Sequence, residues 1–384
     1  MRSLPFLLAL AAAPALAQPS PLIPQVQGVV LHSKVLGEDR PVLIHTPPGY
    51  DHAAGGYPVL YITDGDVHLD HTVTTEEFLA RAGRIPELIV VGLPHLDRNH
   101  DLTPTVDTSG RFRTAGGADP FLEFIAAEVI PFVEASYRTR PYRIFSGHSF
   151  GGLFAIHALL TRSELFNAVI AASPALQWGE GVELRRAEAF FKDHRDLRRT
   201  LYATLGDEPG DIRDAFLAFR DLLSRSAPRG LDWEARLLED EDHDSGLLRT
   251  QYAGLRKAFS GWTPPRDRNT GSALGGLAEL EAHYRELSKR MGFEVPIPES
   301  VMNRLGYELL EQGKVAEAIP VFARNVELHP DSPNVHDSLG EAYERAGRLD
   351  RARASYERAV KLAEEHQDPR LPDFRENLRR IRVR

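Results

Sequence analysis

The segment Tyr142–Leu153, YRIFSGHSFGGL, restricts the possible folds more than any other stretch of this 384-residue chain. An apolar, β-prone run reaches Gly147-His148-Ser149-Phe150-Gly151 and passes without a spacer into the helix-like LFAIHALL. Gly-x-Ser-x-Gly at a strand-to-helix junction demands a turn so sharp that the Ser backbone is strained. Side chains at the two Gly positions would collide with neighbouring elements. A sheet whose strands are each followed by a covering helix supplies such a junction, and the surrounding sequence has that form. Between about Pro24 and Trp262, short β-like runs (VQGVVLHSKV, PVLIHTP, PVLYITDG, LIVVGLP, YRIFSGHS, AVIAASP, LYATLG and WEARLL) are interspersed with helical patterns such as Phe121–Tyr137 and Leu153–Phe166. Pro58–Thr63 and Leu88–Leu93 are continuously apolar, as expected of strands covered on both faces. The expected architecture is a three-layer α/β sandwich with a mostly parallel sheet. Its first two runs can pair as an antiparallel hairpin at the edge.

From Gly261 to about Ser272 the chain becomes polar and rich in Pro and Gly (GWTPPRDRNTGS), which reads as a linker. Beyond it lies an internal repeat. At a spacing of 34 residues, Leu305/Leu339, Gly306/Gly340, Gly313/Gly347, Ala318/Ala352 and Phe322/Tyr356 coincide, and Pro330 closes the first copy. That period and those residue types are the tetratricopeptide pattern of paired antiparallel helices. Two copies are fewer than such an array normally needs alone. The helix around Leu277–Arg290 is therefore expected to cap them, or the copies to dock on the main domain.

The first residues, MRSLPFLLALAAAPALAQPS, combine Arg2, an apolar run from Leu4 to Ala13 and the small-x-small site Ala15-Leu16-Ala17. This reads as a secretory signal peptide cleaved after Ala17. The run is too short for a mature membrane anchor, and Pro5 and Pro14 disfavour a buried helix. Export, most simply to the periplasm, is expected, with no later membrane span. The organisation read from the sequence is thus a leader over 1–17, an α/β domain over 24–262, a linker and capping helix over 263–298, and helical repeats over 299–384. Composition narrows the chemistry. The 46 Lys+Arg against 55 Asp+Glu give a net charge of −9, which argues against nucleic acid as a main partner. The chain has no Cys, so disulfides, thiolate metal sites and a Cys nucleophile are excluded.

A Ser nucleophile needs a base, and the base needs an acid to orient it. In this kind of fold the order along the chain is Ser, then Asp or Glu, then His. Downstream of Ser149 in the α/β region stand His157, His194 and His243. His157 lies within the helix after the nucleophile and is expected to face core or solvent. His194 sits in the charged stretch FKDHRDLRR, a solvated helix face. His243 follows the late run WEARLL in the loop EDEDHDSG, from which an imidazole can reach the nucleophile, and it is the choice for the base. The acid should follow LYATLG, where Asp207, Glu208 and Asp211 compete. Glu208 is favoured, then Asp207, with Asp211 at a helix N-terminus. Glu239–Asp242 and Asp244, around His243, read as a solvated acidic run. The oxyanion of an acyl intermediate needs two amide donors. One is Phe150, directly after the nucleophile; the other is Asp66 or Gly65 in the turn after PVLYITDG. The stretch Asp64-Gly-Asp66-Val-His68-Leu-Asp70-His71 invites a metal reading, but its spacing matches no strong motif, and neither a metal nor a cofactor is expected.

With these residues identified, Val29 to Trp262 resembles the esterase-D-like branch of the α/β-hydrolases, which includes the enterochelin (siderophore) esterases, S-formylglutathione hydrolases and mycolyltransferases. The resemblance rests on PVLYITDGD (58–66), IVVGLP (89–94), DRNHDLTP (97–104), IPFVEASYRT (130–139), GHSFGG (147–152), ASP (172–174) and EDHDS (241–245). The part from Glu281 through Tyr343 resembles the tetratricopeptide tails of some bacterial esterases of that group. The resemblance implies Ser149 as nucleophile, His243 as base, and Asp66 and Phe150 as oxyanion donors. Arg98 and Asp101 fall in a loop that borders the active site in such enzymes, where an internal ion pair between them is expected ahead of a substrate contact. Trp178, together with Gly65, Arg98 and His148, is a candidate for the substrate pocket. The motif fixes the acid position poorly, and some relatives manage with little more than a Ser–His pair. The reading is a serine carboxylic-ester hydrolase for a small-molecule ester, of siderophore type or another. The alternatives are an acyltransferase on the same catalytic set, or a non-catalytic interaction protein whose repeats bind a protein partner or self-associate.

Overall fold

The computed structural model describes residues 26–52, 55–267 and 275–382, so the leader expected over 1–17 lies outside them. Eight strands form one sheet: β1 (Val26–Ser33), β2 (Glu38–His45), β3 (Tyr57–Thr63), β4 (Ile89–Leu93), β5 (Thr139–His148), β6 (Ala168–Ala172), β7 (Thr200–Leu205) and β8 (Asp232–Leu237). Their spatial order is β1-β2-β4-β3-β5-β6-β7-β8. β1 and β2 make the antiparallel edge hairpin, Val26 opposite His45 and Ser33 opposite Glu38, and β2 runs antiparallel to β4. The pairs β3–β4, β5–β6, β6–β7 and β7–β8 are parallel. Every residue of β3, β4 and β6 is buried, so both faces of the central sheet are covered. That is why these strands read as continuous apolar runs rather than alternating ones.

The covering helices are α1 (Gly65–Arg81), α2 (Arg98–Leu102), α3 (Ala118–Phe124), α4 (Ile130–Ser136), α5 (Phe150–Thr161), α6 (Trp178–Asp193), α7 (Asp211–Ser226) and α8 (Gly246–Ala258). The pattern read over Phe121–Tyr137 is α3 and α4, joined by a π-helical turn at Ile125–Val129. α5 is buried from Gly151 to Leu160 and stops at Thr161, short of the Phe166 to which its apolar pattern extends. Phe166 instead enters the core, its ring 4.9 Å from Phe145 and 5.9 Å from Tyr61. With Phe121, Phe124 and Phe154, these rings form the centre of a core that holds the strand ends in place. His157 faces that core rather than solvent, fully buried with Glu183 Oε1 3.1 Å from its Nδ1. His194 is exposed just beyond α6 and stacks on Phe190 at 3.8 Å.

By compactness the chain divides into two units. One holds the segments up to Phe78, Glu87–Thr139 and Ile144–Gly254; the other holds Leu79–Pro86, Arg140–Arg143 and the chain from Leu255 onward. In the second unit, α9 (Leu277–Met291) is followed by α10 (Glu299–Glu311), α11 (Val315–Leu328), α12 (Pro333–Arg345), α13 (Leu349–Glu365) and α14 (Leu371–Arg382). α12 starts 34 residues after α10, and α13 starts 34 after α11, which is the sequence period expressed as structure. Gly313 and Gly347, at φ 74° and 72°, end the first helix of each pair. Gly306 and Gly340 let the paired helices touch: a Cβ there would stand 2.5 Å from the Phe322 ring and 2.7 Å from the Tyr356 ring. α14 closes the array, burying Phe374, Leu378 and Ile381 on one face against Ala352, Tyr356, Ala359 and Ala363.

Gly340 tests this packing. An Ala there recovers about 1 kcal/mol of helix propensity, while overpacking against the buried Tyr356 ring costs about 1–3 kcal/mol. The expected order of stability in denaturant melts of the full chain is wild type, then Gly340→Ala, then Gly340→Leu, with Leu losing more than about 3 kcal/mol. Equal melts for Leu and wild type would contradict the close helix contact.

Candidate active site

The site lies at the carboxyl ends of the parallel strands, where α/β sheets bind their ligands. At the end of β5, Ser149 has φ 59° and ψ −115°, a strained conformation for a residue with a side chain. Its carbonyl accepts the Leu153 amide at 2.9 Å and so begins α5, while its own amide donates to Ala172 O at 2.9 Å. A Cβ at Gly147 would run into the Gly151 carbonyl, and one at Gly151 into Thr63 Oγ1. One at Gly152 would come 2.9 Å from Ala172 O. The two flanking Gly positions are therefore steric requirements of the turn.

The loops after β7 and β8 are joined by backbone: Asp207 N–H donates to Glu241 O at 2.6 Å, and a Cβ on Gly206 would stand 2.6 Å from Asp242 O. This places Glu208 beside His243. His243 Nδ1–H donates to Glu208 Oε2 at 2.5 Å. The other carboxylate oxygen accepts Ser173 Oγ–H at 2.5 Å and Gly206 N–H at 3.2 Å. The hydrogen bond to Glu208 raises the His243 pKa above the ordinary imidazole value, outweighing its partial burial. Burial alone would raise Glu208, but the bonds from His243 and Ser173 hold it below the usual carboxylate range. With Nδ1–H committed to Glu208, His243 Nε2 keeps its lone pair and can take a proton. Asp207 is exposed and faces Arg213 at 3.5 Å, and Asp211 opens α7. In the acidic run, Asp240 and Glu241 pair with Arg249 at 2.6 and 3.0 Å, and Asp242 accepts the Asp244 and Ser245 amides.

His148, read as a pocket residue, serves here as a tether. Its Nε2–H donates to the His243 carbonyl at 2.7 Å, and the two rings lie 4.7 Å apart. Burial pushes its pKa down to about 4, so at neutral pH it is uncharged and holds the His243 loop as a neutral donor. His68 meets His148 edge-on at 5.8 Å, and His71 lies between His68 (3.2 Å) and Gln251 (3.1 Å). Sequence reading weighed His68 and His71 only as metal ligands. Asp64 in that stretch is engaged by an arginine, so it is unsuited to a metal. Among the described residues, ligand atoms of His148, His243 and Asp244 lie within 4.8 Å of one another, a grouping that uses the same imidazoles.

At the end of β3, Asp64 has φ 54°, and its carbonyl accepts the Val67 and His68 amides at 2.9 Å each. This begins α1 and leaves the Gly65 and Asp66 amides without an intrahelical acceptor, as Phe150 is left at the start of α5. The contact of Gly151 with Thr63 and Asp64 brings the two helix starts side by side. Gly65 is required for close approach, since a Cβ there would stand 2.5 Å from the Gly92 backbone. Arg98 and Asp101 do not pair with each other. Arg98 Nε and Nη2 donate to the two Asp64 oxygens at 2.6 and 3.1 Å, Nη2 also reaches His148 O at 3.2 Å, and the guanidinium lies over the Phe150 ring. Asp101 turns inward to Arg40 and His95. The short helix α2 separates the two, sending Arg98 toward the elbow and Asp101 toward the core. Burial favours a raised Asp64 pKa, but the Arg98 bond and charge override it and hold the carboxyl low.

Trp178 is half-buried at the start of α6, with Nε1–H on Thr105 Oγ1 at 3.0 Å. Its ring packs with Phe150 (5.2 Å) and Phe112 (5.5 Å), and Phe112 also meets Phe150 (5.4 Å), an aromatic wall beside Ser149. Sequence reading missed Phe112. The signal is the turn Asp107-Thr-Ser109, in which Asp107 accepts the Ser109 and Phe112 amides at 2.9 and 2.7 Å and so orders the loop.

Residues 33–243 match the family model described as "Putative esterase", and residues 303–368 match a tetratricopeptide repeat model. A siderophore triacetylfusarinine C esterase of Aspergillus fumigatus is 36% identical over 249 residues, 54% of this chain and 83% of that protein. A siderophore enterobactin esterase of Emericella nidulans is 35% identical over 154 residues, 34% of this chain, so that the chain spans only 50% of that relative's length. Among solved structures, an IroE-like serine hydrolase of Shewanella oneidensis is 28% identical with a TM-score of 0.68, covering 79% of this chain and 99% of that one. With the family match extending over more than half of its length, the chain belongs to this esterase family, on an α/β-hydrolase fold followed by tetratricopeptide-like helices.

Proposed function

We propose that the protein is a serine hydrolase of carboxylic esters that works through an acyl-enzyme. The observation that carries this reading is the strained Ser149 directly beside His148, whose imidazole tethers the loop presenting His243 on Glu208. His243 Nε2 takes the Ser149 hydroxyl proton as Oγ attacks the ester carbonyl. The Phe150 amide and the amides of Asp66 or Gly65 receive the oxyanion. The imidazolium, stabilised by Glu208, returns the proton to the leaving alcohol as the acyl-enzyme forms. Water then enters, gives a proton to His243 and attacks the acyl carbon; on collapse His243 returns that proton to Ser149 Oγ, and the carboxylic acid leaves.

The names of the related proteins support a siderophore-type ester as substrate. The wall of Phe112, Phe150 and Trp178 supports an acyl or alcohol part with apolar area to bury. The leader-like first residues support action in the periplasm. The tetratricopeptide-like array supports contact with a protein partner or a second copy.

Hydrolysis of p-nitrophenyl esters of graded acyl length tests the reaction. Ser149→Ala is expected to lower kcat by a factor on the order of 10⁶ and to abolish fluorophosphonate labelling. Turnover that persists in this variant rejects the proposal. Glu208→Gln tests the acid. Because Glu208 raises the His243 pKa and the neutral imidazole is the active form, the acid limb of kcat/KM lies above the ordinary imidazole value in the wild type. In the Gln variant that limb is expected to move to lower pH, with kcat down by about 10²–10⁴-fold. An unmoved limb would remove Glu208 from its role.

A further inference from the structure

The proposed mechanism uses Ser149, His243 and Glu208, yet the first unit buries another imidazole–carboxylate pair directly behind the turn after β3. The side chains of Arg40 on β2, Asp101 on α2 and His95 in the loop after β4 are 1%, 3% and 3% exposed. Burying such charged groups costs several kcal/mol per ion unless partners compensate, and here they stand end to end. Arg40 Nη2 donates to Asp101 Oδ2, His95 Nδ1 lies 3.0 Å from the same oxygen, and His95 Nε2 lies 3.3 Å from the Asp64 amide nitrogen. The Phe121 ring packs against the imidazole at 5.2 Å.

The direction of these bonds follows from elementary chemistry. A backbone amide can only donate, and the other Asp64 atom facing His95 Nε2, Oδ1 at 3.9 Å, is beyond hydrogen-bond reach. Nε2 therefore presents its lone pair to the amide, and Nδ1 carries the proton that goes to Asp101. The opposite tautomer would aim an N–H at the Asp64 N–H and turn a lone pair toward the Asp101 carboxylate. Asp64 is the residue at φ 54° whose carbonyl begins α1 and whose orientation therefore aims the Gly65 and Asp66 amides. Arg98 holds its carboxylate; His95 holds its amide.

We propose that His95 is a positioning residue for the oxyanion turn: as the Nδ1–H tautomer set by Asp101 and Arg40, it accepts the Asp64 amide and so aims the Gly65 and Asp66 amides at the acyl oxygen. This rests on the serine-hydrolase reading. Carboxylate-oriented imidazole thus serves this site in two ways, at His243 to move a proton and at His95 to hold a backbone.

In the full chain, His95→Phe is expected to lower kcat about 10–100-fold, part of the 10²–10³ that loss of a whole oxyanion donor costs. KM should stay within about twofold, since the donor acts in the transition state. Affinity for a boronic acid, whose tetrahedral adduct occupies the oxyanion position, should fall by the same factor as kcat. His95→Gln, which keeps an acceptor for the amide, should recover part of both. A Phe variant equal to wild type, or kcat lost with boronate affinity intact, overturns the proposal. Long-range ¹H–¹⁵N correlation of the imidazole in Ser149→Ala protein reads the tautomer with His95 in place; a proton on Nε2 overturns it too. Failure of the serine-hydrolase reading would show separately, as turnover surviving in Ser149→Ala.

Discussion

Three backbone segments meet where Gly147 faces Gly151 and Gly151 faces Thr63, and the whole site depends on that meeting. No Cβ fits at either glycine, so β5 can end and α5 begin with one residue, Ser149, between them. The same contact sets the start of α1 beside the start of α5. Each helix start has free amides and the positive end of a dipole, and together they form a ready place for developing negative charge. Strain marks the strand ends around this point: Asp64 after β3, Ser149 after β5 and Ser173 after β6 all have positive φ. Each costs roughly 1–3 kcal/mol. The aromatic core around Phe145, Phe154 and Phe166 makes them sustainable, because relaxing any of the turns would disturb close-packed rings.

Electrostatics then separate neighbouring imidazoles into different roles. His243 and His148 lie 4.7 Å apart, yet their pKa values move in opposite directions. His243 has a carboxylate on Nδ1, which stabilises its charged form. His148 has only a carbonyl to bond, and burial therefore keeps it neutral. The first is the stronger base of the two and the one that takes up a proton, while the second keeps the geometry of the first without competing for that proton. Ser173 and Arg98 act at one remove, holding the carboxylates of Glu208 and Asp64.

The helical array follows a simpler rule. A 34-residue offset repeats the same two contacts, Gly306 on Phe322 and Gly340 on Tyr356, and α14 then covers the exposed apolar face of the second pair. Within these helix pairs the contacts recur at a fixed spacing, which is why their pattern could be read directly along the chain.

What the sequence by itself determined is whatever neighbours along the chain decide: the eight strands, the edge hairpin, the Gly-x-Ser-x-Gly turn, and the helix pairs at their period. Steric exclusion at Gly147 and Gly151 and the apolar runs of β3, β4 and β6 are local properties, legible without coordinates. That the loops after β5, β7 and β8 converge was legible too, because the carboxyl ends of parallel strands come together in any such sheet, but three carboxylates competed after β7 and only the folded chain sets Glu208 on His243. Tertiary structure alone decided which groups pair. It gave Arg98 to Asp64 rather than to Asp101, brought Phe112 into the aromatic wall, and laid Arg40, Asp101 and His95 in line behind Asp64. Of those partners, Arg40 and Asp101 stand 61 residues apart in the chain, and the pairings carry no periodicity. Their pairing depends on where loops at strand ends bring buried charges together, and burial makes only a satisfied arrangement affordable.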